Sequence, residues 1–215
     1  MQLTDWLISG RIIISRCGLE KSNFFAQIAR MSFINRWALM RNVKEENLAE
    51  HSFQVAVVAH MLALIENRYC GASIDVGNVV LVALYHDAAE IFTGDLPTPV
   101  KYFNEDIAKA YKHLEHLAED KLIEFMPSDF EDDFRALISS KFVDPDVKRI
   151  VKDADTICAI IKCDNELKAS NQEFLVAKQR LEQQLLKRKE HSPGIRYFEE
   201  MFMESFSKTL DEISV

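Results

Sequence analysis

An all-helical fold is what this sequence predicts, and three features carry the expectation. Only 6 glycines and 5 prolines are spread over 215 residues, too few for the many tight turns of a β-sandwich or barrel. Apolar residues recur at helical spacing, as in Val55, Val58, Leu62 and Ile65. Hydrophobic residues make up 48% and charged residues 28%, near the globular average, and no repeat or Ser, Gly or Gln tract divides the chain. The length suits one domain with a real core. Residues 1–20 read as an N-terminal extension and residues 21–215 as a single compact bundle of about seven or more helices.

Taken in order, the extension carries Ile12, Ile13 and Ile14, a short helix or strand joined through Gly18 to a first helix from about Ser22 to Ile34. A loop holding Arg36 and Trp37 follows. The next helix opens at Asn47, with Glu50 three residues later as in a capping box, and extends to about Asn67. Asp75 caps a third helix through about Phe92, which the Gly94-Asp95-Leu96-Pro97-Thr98-Pro99 run stops as a rigid turn. A fourth spans about Asn104 to Met126, and a fifth starts at Asp144 with Pro145 in its first position and continues to about Lys168. Ser170 and Glu173 open a sixth, ending in Lys187 to Lys189 before Ser192-Pro193-Gly194, and a last one covers about Tyr197 to Lys208.

Charge and cysteine usage narrow the function. A net charge of -8 gives no global attraction for a polyanion, so nucleic-acid binding is not expected, although one local cationic pocket can still bind a small anion. Cys17, Cys70, Cys158 and Cys163 make no CxxC pair or disulfide framework and read as reduced thiols. The apolar stretches Val55–Ile65 and Val79–Tyr85 fall short of the roughly 20 residues that span a bilayer. Asp5, Arg11 and the lack of an early basic residue do not fit a cleaved signal peptide. No membrane partner is expected, and the cytoplasm is the expected compartment.

Charged groups stand where a core should be. In the third helix the stripes Val79–Ala83 and Val80–Leu84 lead onward to His86 and Glu90, and to Asp87 and Ile91. His51 shares a stripe with Val55, Val58, Leu62 and Ile65, and Asp155 lies between Val151 and Cys158. Asp153 is rotated by about 200° from Asp155 and is expected to face outward. Buried unpaired carboxylates are costly. Two imidazoles and two carboxylates from three helices suit a divalent transition metal, while a buried His–Asp pair satisfying itself is the alternative. His113 and His116 project from the face opposite Ile107, Tyr111, Leu114 and Ala118 and read as solvated. His60 faces away from His51, His191 reads as a helix-end cation, and Cys158 and Cys163 as small core residues.

The order His51, His86-Asp87, Asp155 resembles the HD-domain superfamily of metal-dependent phosphohydrolases. Longer strings are more specific: INRWALMRNVKEENLAEHSFQVAVVAHMLA from Ile34, ALYHDAAEIFTGDLPTPVKYFN from Ala83 and VKDADTICAIIKCDNEL from Val151. Together they resemble the YfbR-type bacterial 5'-deoxynucleotidases over about Asn23 to Ser214, leaving the first residues without a counterpart.

This resemblance implies a compact all-helical HD domain that hydrolyses a deoxyribonucleoside 5'-monophosphate to deoxynucleoside and phosphate. It implies His51, His86, Asp87 and Asp155 as ligands of one divalent cation of the Co, Mn, Ni or Zn class, with His51, Asp87 and Asp155 also facing substrate. It places the Arg-Trp pair on Arg36 and Trp37, the helix-end acid on Glu90 and the substrate loop on Asp95, Leu96, Pro97 and Thr98. Glu90 would then orient or deprotonate the attacking water, and Arg36 would bind phosphate oxygens. Asp95 would hold sugar hydroxyls or protonate the leaving oxygen, and Trp37 would wall off a ribose hydroxyl. Taken alone, GDLPTP is a structural turn, Trp37 a core aromatic and Glu90 an ordinary helix-end carboxylate. The resemblance and the apolar second helix point to a homodimer. Rival readings are an HD-type hydrolase of nucleoside triphosphates or guanosine polyphosphates, and a non-catalytic helical module with a structural ion site.

Overall fold

The computed structural model describes residues 20–214, so the isoleucine run, Cys17 and the rest of the expected extension up to residue 19 lie outside the described residues. The described chain is helical, with one isolated antiparallel bridge between Asn35 and Asn47. A short helix α1 (Phe24–Ile28) runs into a 3-10 turn (Ala29–Phe33). Helix α2 (Leu48–Tyr69) is capped by Asn47, whose side chain accepts from the Glu50 N–H at 3.0 Å. Asp75 caps α3 (Val76–Tyr85) in the same way.

The third helix is shorter than its apolar pattern suggests. It ends at Tyr85, and a tight turn separates it from α4 (Glu90–Thr93). The cause is local. The His86 imidazole takes the Ala83 carbonyl at 2.8 Å, and the following amides reach back three residues, Ala88 N to Tyr85 O and Glu90 N to Asp87 O. The expected rigid turn over Gly94–Pro99 holds only in its first part: Gly94 sits at φ 69°, but Thr98 and Pro99 open a short helix α5 (Thr98–Lys101) with Pro97 as its N-cap, because proline is tolerated in a helix's first turn.

Asn104 caps α6 (Glu105–Ile123), and a helix absent from the sequence reading, α7 (Glu131–Ile138), follows it. Asp144 accepts from the amides of Asp146 and Val147 to cap α8 (Pro145–Lys168). The next cap is Asn171 rather than Ser170, through a 3-10 turn (Gln172–Phe174) that leads into α9 (Leu175–Arg188). Pro193, expected to stop a helix, instead begins α10 (Pro193–Phe202), and a 3-10 turn and α11 (Leu210–Ile213) end the described chain.

Helices α2 and α8 form the centre. Val55, Ala59 and Leu62 of α2 pack with Val79 and Ala83 of α3, Ile150, Ala154 and Ile157 of α8 and Ile195 of α10. A second cluster joins Phe24, Met31 and Leu48 to Ala88, Leu122, Ile123 and Ile138. By length and composition α2 could cross a membrane, but 56% of its apolar window is buried inside the protein, as befits a core helix. On α6 the buried line is Tyr111, Ala118 and Leu122, whereas Ile107 and Leu114 are exposed, contrary to the stripe expected from sequence. His113 is exposed as expected. His116 is not solvated: it is half-buried, with Nδ1 3.2 Å from Glu119 Oε2 and 3.3 Å from Ser140 Oγ.

Asp153 is a second correction. It is 1% exposed rather than outward-facing, because α9 covers the face of α8 opposite the site. Arg188 Nε donates to Asp153 Oδ1 at 2.6 Å, and Arg149 forks onto both oxygens of buried Glu66 at 2.8 and 2.7 Å while reaching Ser192 Oγ. Helices α2, α8, α9 and α10 are tied together at this point. A Cβ on Gly194 would stand 2.8 Å from Glu66 Cγ, so the close approach of α10 needs glycine. Removing one partner of such a buried pair leaves an uncompensated charge, and Arg149→Ala is expected to cost about 3 kcal/mol in urea unfolding.

Candidate metal centre and active site

Three helices deliver the expected ligands to one place. His51, in the first turn of α2, is fully buried, and its Nε2 lies 3.0 Å from Asp155 Oδ1 of α8 and 3.8 Å from Asp87 Oδ2. His86 Nε2 is 3.1 Å from the same Asp87 oxygen. One ligand atom from each of His51, His86 and Asp87 falls within 4.8 Å of the others. The tight turn after Tyr85 sets His86 and Asp87 side by side at the end of α3.

This donor set fits a divalent cation. The bond from His86 Nδ1 to the Ala83 carbonyl places a proton on Nδ1 and turns Nε2 toward Asp87, 3.1 Å away, as the nitrogen that a cation would take in place of a proton. Burial disfavours a charged His86 ring, but Asp87 outweighs it and lifts the pKa, so positive charge is drawn to this spot. Burial also opposes ionisation of Asp87 and Asp155. Even so, His86 holds the first, and Lys152 with His51 the second, below the usual carboxylate range. Both carboxylates are therefore ready ligands.

Around the four stand groups with separable tasks. Arg36 Nη1 donates to Glu46 Oε1 at 2.9 Å, and Nη2 stands 3.9 Å from Asp155 Oδ1. Glu46 also faces His51 Nδ1 at 3.4 Å, so one buried carboxylate orients both the guanidinium and an imidazole. Glu90, at the start of α4, has a buried Oε2 without a hydrogen-bond partner. Burial, helped by the charges of Asp87 and Asp95, pushes its pKa up to about 9. Asp95 Oδ2 accepts the Trp37 N–H at 3.1 Å, and burial raises the Asp95 carboxyl above its usual range. Trp37 sits at φ 59°, a left-handed conformation rare for a residue with a side chain, and its ring packs on Phe174 at 5.4 Å. Leu96 and Pro97 are half-buried beside Asp95, and Thr98 is exposed at the first turn of α5.

Two neighbours of the site escaped sequence reasoning. Glu46 sits in the Lys44-Glu45-Glu46 run, which reads as a solvated loop; the signal available was its place just before the Asn47 cap. Lys152 donates to Asp155 Oδ2 at 2.6 Å, and its signal was its position three residues before Asp155 on the same helix. His60 lies outside the site, as expected, and is exposed; His191 is exposed at a helix end, and Cys158 and Cys163 are buried as expected.

Comparison with known proteins follows the same lines. The family described as 5'-deoxynucleotidase YfbR-like matches residues 23–206. A 5'-deoxynucleotidase of Vibrio cholerae serotype O1 is 50% identical over 196 residues, covering 91% of this chain and 100% of that protein. The 5'-deoxynucleotidase YfbR of Escherichia coli O127:H6 is 50% identical over the same length, covering 91% of this chain and 98% of its own. Among solved structures, an HD-domain phosphohydrolase from Listeria innocua superposes with a TM-score of 0.75 at 21% identity, covering 86% of this chain and 88% of that one. The cyanophage S-2L HD phosphohydrolase, bound to dA and one catalytic Zn2+ ion, gives 0.60 at 20% identity, covering 86% of this chain and 96% of its own. The family match over residues 23–206 and the 50% identity to curated 5'-deoxynucleotidases agree: the chain belongs to the YfbR-like 5'-deoxynucleotidase family.

Proposed function

We propose that this protein hydrolyses deoxyribonucleoside 5'-monophosphates to deoxynucleoside and phosphate, with one divalent cation of the Co, Mn, Ni or Zn class held by His51, His86, Asp87 and Asp155. The observation that carries this reading is the convergence of those four side chains beside Arg36, with Glu90 buried at the start of α4. Membership in the family and the names of the relatives supply the substrate class. A phosphate-release assay over deoxynucleoside mono-, di- and triphosphates and guanosine polyphosphates, with each of the four metals, tests it. Inorganic phosphate from the deoxy-monophosphates is expected, and release of pyrophosphate or triphosphate would contradict it.

A divalent cation held by His51, His86, Asp87 and Asp155 would supply Lewis acidity and lower the pKa of the attacking water. The protein's residues do the rest. Arg36, held by Glu46, turns its N–H fork to the phosphate and stabilises charge that spreads over the equatorial oxygens. Glu90 takes the proton as the water oxygen bonds to phosphorus and the P–O5' bond breaks. With its pKa raised to about 9 the carboxyl is mostly protonated at pH 7, so its ionised fraction, which grows with pH, is what serves as the base. Asp95 has one oxygen engaged by the Trp37 amide. Its other oxygen, on a carboxyl whose pKa burial raises, would hold a sugar hydroxyl or give a proton to the departing 5' oxygen. Leu96, Pro97 and Thr98 continue this wall toward the sugar.

Selection against ribose needs bulk beside C2', because a loose pocket rejects an added hydroxyl only about 100-fold. Trp37 supplies the bulk, fixed by the hydrogen bond from its backbone N–H to Asp95 Oδ2 and by Phe174 behind it. Trp37→Ala is expected to lower the ratio of kcat/KM for dUMP over UMP by about 10-fold or more, and an unchanged ratio would remove Trp37 from this role.

We place the enzyme in the cytoplasm and in a homodimer. The dimer reading is supported by α2, where Phe53, Val57 and Leu64 leave an apolar line 65%, 54% and 38% exposed, with His60 on the same face.

A further inference from the structure

The segment from Trp37 to Glu46 carries the substrate end of the site yet contains only turns and bends. Its entrance is fixed at Arg36, whose amide donates to the Glu46 carbonyl at 2.9 Å, and at the bridge between Asn35 and Asn47. Nothing in that closure dictates the left-handed backbone of Trp37. The far end of α8 holds the loop instead.

Glu166 is 2% exposed and receives four donors. Its Oε2 accepts from the Val43 amide at 2.8 Å and Asn171 Nδ2 at 2.8 Å, and its Oε1 from the Lys44 amide at 3.1 Å and Lys162 Nζ at 2.5 Å. Lys162 also donates to the Lys44 carbonyl, and Asn171 Nδ2 to the Arg41 carbonyl at 2.6 Å. Phe174, fully buried, lies between this cluster and the site, with Lys162 Nζ 5.4 Å from its ring centre and the Trp37 indole on its other contact. Glu166 lies about 16 Å along the helix from Asp155, too far to touch the reacting phosphate. A buried carboxylate that takes two adjacent loop amides, one on each oxygen, while Lys162 and Asn171 hold it in place, is a latch.

We propose that Glu166 is a positioning residue for substrate binding: by latching the 37–46 loop to the end of α8, it holds Arg36 and Trp37 in the conformation that receives the nucleotide. This rests on the reading of Arg36 and Trp37 as substrate-binding groups. When the latch is weakened, fewer molecules have the receptive loop, and apparent affinity falls in proportion while the bound complex still turns over.

The test is Glu166→Gln in the metal-loaded full-length enzyme, since an amide offers one acceptor oxygen where four donors converge. KM for dUMP is expected to rise about 10-fold or more with kcat within about threefold. The chain has 2 tryptophans, so a Trp6→Phe background isolates Trp37, whose emission should become more accessible to acrylamide in the Gln variant. Asn171→Ala, which removes the bonds to Glu166 and Arg41 together with the 3.3 Å cap bond from the Glu173 amide, should move both readouts the same way by less, and serves if the Gln variant does not fold. A folded variant with wild-type KM, or with wild-type Trp37 quenching, overturns the latch. Wild-type inertness toward every deoxynucleotide would sink the nucleotidase reading separately, and the quenching comparison would still decide whether Glu166 holds the loop.

Discussion

Glu90→Gln is expected to lower kcat for deoxynucleoside monophosphates by about 10³-fold while leaving metal content unchanged. The carboxyl is buried at the N-terminus of α4 with one oxygen lacking a hydrogen-bond partner. A group in that position without a task would be a plain cost, because an unsatisfied buried polar atom costs roughly 1–3 kcal/mol. Burial and the charges of Asp87 and Asp95 push its pKa up to about 9, so only its ionised fraction accepts the proton and kcat should rise with pH toward that value. The amide keeps the size and loses the proton-accepting oxygen pair, so KM should change little. Two measurements separate the roles: steady-state phosphate release and metal content of the purified variant. Loss of the metal along with activity would make Glu90 a ligand instead.

His86→Ala is expected to abolish both turnover and the stabilisation that the metal confers. A ligand present at 100 times its Kd stabilises the folded state by about 2.7 kcal/mol, so added Mn or Co should raise the wild-type Tm clearly. The variant loses the one imidazole whose tautomer the Ala83 carbonyl fixes toward Asp87. Asp87 and Asp155 then remain with His51 alone among nitrogen donors. Scanning calorimetry across a metal titration checks this. A full metal-induced shift in His86→Ala would show that the ion binds elsewhere.

Much of this arrangement is legible in the chain because the relevant signals are local. Asn47, Asp75, Asn104 and Asp144 are caps whose side chains bond their own helix amides, so the starts of four helices could be read directly. His51 and Asp155 could be placed because each sits on an apolar stripe of a long helix whose inner face contains few alternatives. The break after Tyr85 was not legible, since it comes from an imidazole competing for a helix carbonyl. Asp153 was misplaced because a stripe argument assumes one buried face, whereas α8 is covered by α2 and α3 on one side and by α9 on the other. His116 failed for a related reason: Glu119 and Ser140 receive it away from the apolar line of α6. Glu46, Lys152 and Glu166 act through partners distant in sequence or through their neighbours' carboxylates. Composition gives such residues the look of ordinary surface charge.

The central claim is that one ion joins α2, α3 and α8 through His51, His86, Asp87 and Asp155. Anomalous diffraction from a crystal grown with Co or Mn tests it most directly. A single strong peak is expected within bonding distance of His51 Nε2, His86 Nε2 and carboxylate oxygens of Asp87 and Asp155. A peak bound elsewhere, or no peak at this point from a metal-activated enzyme, would contradict it.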